Sequence, residues 1–372
     1  MKTRRLGLLA MTTVALAGCA STDSGYQPPK VDNTPTHTTA VIHATSRIEG
    51  SILPNFHGTE TAYTRADRRT IDNESKVDSW WAKMMMDDLH TADMFRMDQN
   101  RAMKVNYNNQ TYYECGISQC PSVINMLNAA SNESADKGED TYDPEGSEAC
   151  PLQLVEHEFN VVDTGQSKTL HGYPAHLYQA TWDLIYEDDN RQQNTNKLVI
   201  EFWTTPPTGE MKQIWAIHQK ATDAYVEQAD LDHNPLARFL PEDVFRAVSA
   251  FSGDTDSSTQ QWHNEVTRKL ATIQGYPLSI ELDWSLEAHA CEEAAPQTAS
   301  SDSASDPLGA LKDMASNVVG DAVKDQFAGD EGAPIFSYRY DVQSASIAQV
   351  HDSVFTVPKG FREKPLPDWV QK

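Results

Sequence analysis

Apolar residues recur at every second position along much of this chain. Between residues 38 and 48, Ala40, Ile42, Ala44 and Ile48 fall on one face, and Val41, His43, Thr45 and Arg47 on the other. A period of two matches a strand, whose side chains point alternately to opposite faces, so this stretch reads as a half-buried strand. Similar signals recur at 59–71, 93–98, 102–107, 111–115, 152–162, 175–186, 197–204, 278–286, 335–343 and 347–356. Asn108-Asn109-Gln110, lying between two of these runs, predicts a hairpin turn.

Helical spacing is rarer and falls between the strands. Residues 75–86 carry Val77, Trp80, Trp81 and Met84 at that spacing, with Asn73 as a possible cap. Pro121 opens a short helix over 121–130, and 209–228 and 235–251 form a helical middle segment. Strands with helices in their connections predict an α+β protein built on one large antiparallel sheet. A Gly-Tyr-Pro step precedes an alternating strand twice, at Gly172-Tyr173-Pro174 and Gly275-Tyr276-Pro277. Glycine permits the turn and proline suits the first residue of a strand, so the echo reads as hairpin punctuation.

Residues 292–306 are low in complexity and predict a disordered insert. Asp306-Pro307 then starts, and Gly329 stops, an amphipathic helix over 307–328. Its stripe is Leu308, Leu311, Ala315, Val318, Val319 and Ala322. This helix either packs back on the sheet or forms a movable lid.

The N-terminus changes the picture. Lys2, Arg4 and Arg5 precede an apolar stretch from Leu6 to Leu16, followed by Leu16-Ala17-Gly18-Cys19. The layout is that of a secretory signal, residues 1–18, with an apolar run too short to cross a bilayer. Its last four residues resemble the lipobox of bacterial lipoproteins. That resemblance implies cleavage before Cys19 and a lipid anchor on its thiol, hence a membrane partner. Ala20 is not the aspartate associated with inner-membrane retention, so it further implies the outer membrane, facing the periplasm. Residues 19–36 read as a flexible tether and 37–365 as the sheet domain.

Composition narrows the partners. The chain has 30 Lys+Arg and 54 Asp+Glu, a formal charge of −24; losing three basic residues with the signal leaves 27 − 54 = −27. Such a surface repels nucleic acid and anionic headgroups, which argues against binding to either. The 39% apolar residues and eight tryptophans supply a sizeable core.

Apart from Cys19, the cysteines are Cys115, Cys120, Cys150 and Cys291, an even number that in an oxidising compartment predicts two disulfides. Sequence leaves three pairings open; Cys115–Cys120 with Cys150–Cys291 is the working expectation. The Cys-x4-Cys spacing lacks a second pair to complete a zinc site. Met84, Met85, Met86, Met94, Met97 and Met103 cluster near Trp80, Trp81 and His90. Thioethers favour Cu(I), making Met84, Met85, Met86 and His90 candidate ligands, whereas flexible methionines lining a core or an adaptable cavity are the plainer reading. Asp254, Asp256, Ser258 and Glu265 imitate a calcium loop, but Thr259 occupies the position where the turn wants glycine. No metal site, cofactor or catalytic motif is expected, and the chain does not read as an enzyme.

Several segments in order resemble an uncharacterised family of bacterial secreted proteins related in fold to the lipoprotein carriers LolA and LolB. They are Tyr63 to Asp72, Met94 to Asp98, Lys104 to Tyr112, Thr164 to Tyr173, Gly275-Tyr276-Pro277 and Phe355 to Phe361. The resemblance implies a single curved antiparallel sheet, an incomplete barrel with helices inserted across its open side. In the carriers this shape holds acyl chains. The expected role is therefore binding of a lipid or other hydrophobic or acylated ligand. A non-enzymatic envelope structural or interaction protein with a filled core is the alternative, and periplasmic copper binding comes third.

Overall fold

The computed structural model describes residues 31–50, 55–78, 88–120, 146–147, 150–229, 265–266, 268–290 and 333–366. Its N-terminal strands are β1 (Thr36–Gly50), β2 (Phe56–Arg65), β3 (Arg68–Val77), β4 (Leu89–Arg96), β5 (Arg101–Asn106) and β6 (Thr111–Cys115). A small hairpin of β7 (Gly146–Ser147) and β8 (Cys150–Pro151) precedes β9 (Gln153–Leu170), β10 (Tyr173–Glu187) and β11 (Gln193–Thr205). Helix α1 (Gly209–Gln228) follows, then β12 (Tyr276–Ala288), β13 (Phe336–His351) and β14 (Arg362–Glu363).

Twelve strands form one open sheet in the order β14-β6-β5-β4-β3-β2-β1-β13-β12-β11-β10-β9. Two meanders, β1–β6 and β9–β13, meet where β1 pairs antiparallel with β13. Every described pairing in this sheet is antiparallel except that of β14 with β6. Local chemistry sets the hairpins. His171 and Gly172 link β9 to β10 with φ of 47° and 87°, the doubly left-handed turn that matches strand twist. Between β10 and β11, Asp188 Oδ1 accepts the N–H groups of Asn190 and Gln192 and holds the loop closed.

The pleat sorts the side chains onto two faces. On the inner face, Tyr178, Phe202, Ile280 and Tyr340 form one cross-strand row, and Trp182, Leu198, Trp284 and Phe336 another. On the outer face runs Gln179, Glu201, Glu281, Arg339, Arg47, His57 and Lys76, a polar ladder across seven strands. The inner face carries the main core, in which Phe202, Leu198, Ile200 and Leu282 are fully buried. Each such side chain contributes roughly 1.5–3 kcal/mol by leaving water.

Helix α1 lies against β13, β1 and β2 on the inner face. Met211, Ile214, His218 and Ala221, three or four residues apart, form its buried stripe, continued by Val226. Polar contacts fasten both ends: Glu210 Oε1 accepts the N–H of Ile347 at 2.8 Å, and Gln228 Nε2 donates to the carbonyl of Met97 at 2.5 Å. Near its C-terminus, Ala221 and Ala229 are small enough to seat the helix on Phe95, Met97, Ala102, Ile117 and the Cys115–Cys120 disulfide.

After β13 the chain crosses the outer face as a strap. Phe355 packs with Val41 and Val350, and Val357 and Phe361 pack on Met94, Met103, Val105 and Tyr107. Arg65 ties the start of the strap to the sheet. It donates to Thr39 Oγ1 at 2.9 Å, to Asp352 Oδ1 at 2.5 Å and to the Val350 carbonyl at 2.7 Å, with its guanidinium 4.4 Å from the Phe355 ring centroid.

Some sequence expectations shift. The run 59–71 is two strands joined through Ala66 and Asp67. The helix expected from residue 75 does not start there, because β3 continues to Val77 in pairing with β2; residues 79–87 lie outside the described residues. The runs 335–343 and 347–356 are one strand, β13, which ends in a 3-10 turn at Asp352–Phe355. Strand β9 continues past 162 to Leu170. The helices expected at 121–130, 235–251 and 307–328, and the insert at 292–306, lie outside the described residues.

Candidate functional site

Strand pairing places Thr64 and Arg69 side by side on the inner face, in a row with Ala40, Phe95, Ala102 and Cys115. His218 descends on this region from α1. All three residues hold polar atoms shielded from solvent and without a hydrogen-bond partner: Thr64 Oγ1, Arg69 Nε and His218 Nε2. Thr64 is fully buried and His218 is only 8% exposed. Among the described residues no carboxylate lies within ion-pair distance of Arg69. Other charges nearby do find partners. Lys104, also on the inner face, meets Asp93 at 2.8 Å, and Arg68, on the opposite face from Arg69, reaches Asp67 at 2.6 Å.

The electrostatics tie these groups into one neighbourhood. Burial, helped by the charge of Arg69, lowers the pKa of His218 from 6.5 to about 3, so its imidazole is neutral at physiological pH. Burial pushes the hydroxyls of Tyr276 and Tyr340 well above the usual tyrosine range; Glu60 adds to that rise and Arg69 opposes it. Tyr276 stands edge-on to both His218 and Trp215, with centroids 5.7 and 6.0 Å away. Its place is set by Gly275, at φ 100°, where a Cβ would come within 2.7 Å of the Thr205 carbonyl. The second Gly-Tyr-Pro step thus starts a strand and also delivers a ring to this neighbourhood.

Unsatisfied buried polar atoms are costly, about 1–3 kcal/mol each, and folded proteins keep few of them. Three of them, one on a guanidinium, come together here from β2, β3 and α1. The outer face offers a contrast. A cleft of about 540 Å³ there is lined by Arg47, His57, Glu74, Lys76, Arg339 and Asp341. Its charges are largely matched within the protein: Arg339 to Asp283 and Glu281, Arg47 to Glu49, His57 to Asp78. Among the described residues, Arg69 on the inner face has no such ion pair.

The residues singled out by sequence fall elsewhere. Cys115 and Cys120 form a disulfide, and Cys150 begins β8. Cys19, Cys291, Met84, Met85 and Met86 lie outside the described residues. His90, named with those methionines, instead meets Asp72 at 3.0 Å and stacks on Tyr107 at 4.3 Å. Met94 and Met103 pair across strands on the outer face and Met97 packs in the inner cluster, so these three do not converge. Of the calcium-like loop, Glu265 pairs with Lys269 at 2.9 Å; Asp254, Asp256 and Ser258 are outside the described residues. Among the described residues no three His, Cys, Asp or Glu side chains converge as metal ligands.

Sequence reading missed Thr64, Arg69, His218 and Tyr276 as a group. A signal for His218 was present, since it occupies the apolar stripe Met211, Ile214, His218, Ala221. Comparison with known protein families, curated proteins and solved structures found no match.

Proposed function

We propose that this protein is a non-enzymatic envelope lipoprotein that holds a hydrophobic or acylated ligand against the inner face of its sheet, beneath α1. The observation carrying this reading is the set of buried, unsatisfied groups on Thr64, Arg69 and His218, beside an extensive buried apolar cluster. An apolar wall with a few convergent polar groups is the usual make-up of a small-molecule site. In this reading the open sheet is the curved wall of an incomplete barrel like that of LolA and LolB, with α1 across its open side. The signal-like residues 1–18 and Cys19 support anchoring at the outer membrane, on the periplasmic side.

A tether of about 17 residues extends no further than roughly 60 Å. The protein then receives, holds or senses its ligand at one membrane rather than ferrying it between two. A second reading, an envelope interaction protein with a filled core, is favoured by the wing β9–β12. There Phe159, Trp182, Leu198 and Phe202 pack with Val266, Leu270 and Ile273 in one cluster of buried residues. Native mass spectrometry of the full chain bearing Cys19→Ser, recovered from a bacterial periplasm, separates the two. Co-purifying lipid is the expected result, and an empty protein that takes up no added lipid turns the assignment to the second reading.

A further inference from the structure

We infer that the ligand beneath α1 carries an anionic oxygen head group, a carboxylate or phosphate, received by Arg69 together with Thr64 and His218. This rests on the proposed ligand-binding role and names the chemistry of its polar end.

The donor set argues for an anion. A guanidinium only donates hydrogen bonds and retains its charge in a protein, so its complement must be an acceptor and is best a negative one. Arg69 has no ion-pair partner among the described residues, although the chain carries 54 acidic side chains against 30 basic ones. Glu60 shares the inner face and acts on the same tyrosines, but among the described residues it forms no ion pair with Arg69, so the guanidinium is suited to an outside acid. Thr64 is its direct cross-strand neighbour, and a threonine hydroxyl can donate to a second oxygen of the same head group. His218 Nε2 supplies a third donor in the tautomer that places its proton there. Arg65 and Lys104, each with a carboxylate partner, show what the chain does where a cation serves the fold alone.

The surroundings argue that this head belongs to an amphiphile. Ala40 and Phe95 lie in the same cross-strand row as Thr64 and Arg69, and the next row carries Ala345, Ile42, Ala62 and Ile71. The acid end would sit at Arg69 and the chain would run among these side chains, which are already buried or, at Ile71, partly buried, so its entry requires α1 to part from the sheet. Replacing water around the head by these fixed donors strengthens each charge-assisted hydrogen bond.

The test is isothermal titration of the full chain carrying Cys19→Ser with dodecanoate, dodecyl phosphate, 1-dodecanol, acetate and inorganic phosphate, at constant ionic strength. Dodecanoate or dodecyl phosphate should bind about tenfold or more tightly than 1-dodecanol, the gain expected from one charge-assisted contact. Acetate and inorganic phosphate should bind far more weakly than either, which assigns the site to a lipid head rather than a free anion. If a short anion binds as well as its long-chain form, the amphiphile part of the inference is overturned. Arg69→Met should abolish the preference for the acids over 1-dodecanol, while Arg69→Lys keeps part of it. Should 1-dodecanol bind as tightly as the acids, with Arg69→Met without effect, the head-group assignment fails and the ligand-binding role stands. If none of the long-chain compounds binds a chain with native circular dichroism, both fall together.

Discussion

Protonating His218 should destabilise the fold, and the size of the effect follows from its burial. The side chain is 8% exposed, it faces Arg69 and Tyr276, and its pKa falls from 6.5 to about 3. The unfolded chain therefore binds a proton at this position between about pH 6.5 and 3 that the folded chain refuses. A group with a depressed folded pKa contributes stability that is present above the unfolded value and is lost as pH falls. Between pH 7 and pH 5 the linkage relation gives a loss of about 2 kcal/mol from this histidine. Urea denaturation of the full chain and of His218→Gln at both pH values, followed by tryptophan fluorescence, isolates it. Carboxylates and His157 titrate in both proteins, so their contributions cancel in the difference. The wild-type chain should lose about 2 kcal/mol more than the variant on acidification. Equal losses would refute the reasoning, because His218 would then accept a proton in the folded state without penalty.

Two further predictions concern what holds the N-terminal wing together. Removing the Cys115–Cys120 disulfide by Cys115→Ala with Cys120→Ala should cost about 2 kcal/mol, the chain-entropy value for so short a loop, read as a lower urea midpoint. Arg65→Met should cost about 3 kcal/mol. Its side chain is 10% exposed, and its loss strips hydrogen bonds from Thr39, Val350 and Asp352, although Asp352, at 32%, keeps access to water. Hydrogen bonding to Arg65 also holds the Asp352 carboxyl below its usual range, so part of this stability exists above the unfolded carboxylate pKa and fades as pH drops. An Arg65→Met chain as stable as wild type would show that the strap does not depend on this anchor.

The alternation of apolar and polar residues made most strands legible, because a sheet with one buried and one polar face writes a period of two into the sequence. Helix α1 was legible for the same kind of reason at a different period. The β2–β3 hairpin was not, since Ala66-Asp67 lacks the Asn-Gly or Asp-Gly signal of a two-residue turn and the two strands read as one. That omission hid the site as well. Whether Arg68 or Arg69 faces inward depends on where the turn falls, and a one-residue change of register exchanges them. Pairing of β1 with β13 carries no local mark at all. The asparagine-rich turn between β5 and β6 did show itself, with Asn106 Oδ1 accepting the Asn109 N–H and Gln110 at φ 52°.

The β1–β13 seam has a consequence for how the chain becomes a protein. Thr36 is paired with His351 and Gly50 with Phe336, so the first strand made waits for one of the last before both of its edges are filled. Until then β1 offers an unpaired edge with Ala40, Val41 and Ile42 along it, an invitation to other extended chains. Each meander can form from sequence-near hairpins, but joining them requires closing a loop of nearly the whole domain, an entropic cost met late. Docking of two half-sheets is the expected slow step. A chain released or cut before residue 336 should leave its first strand exposed and aggregate rather than settle into a smaller stable fold.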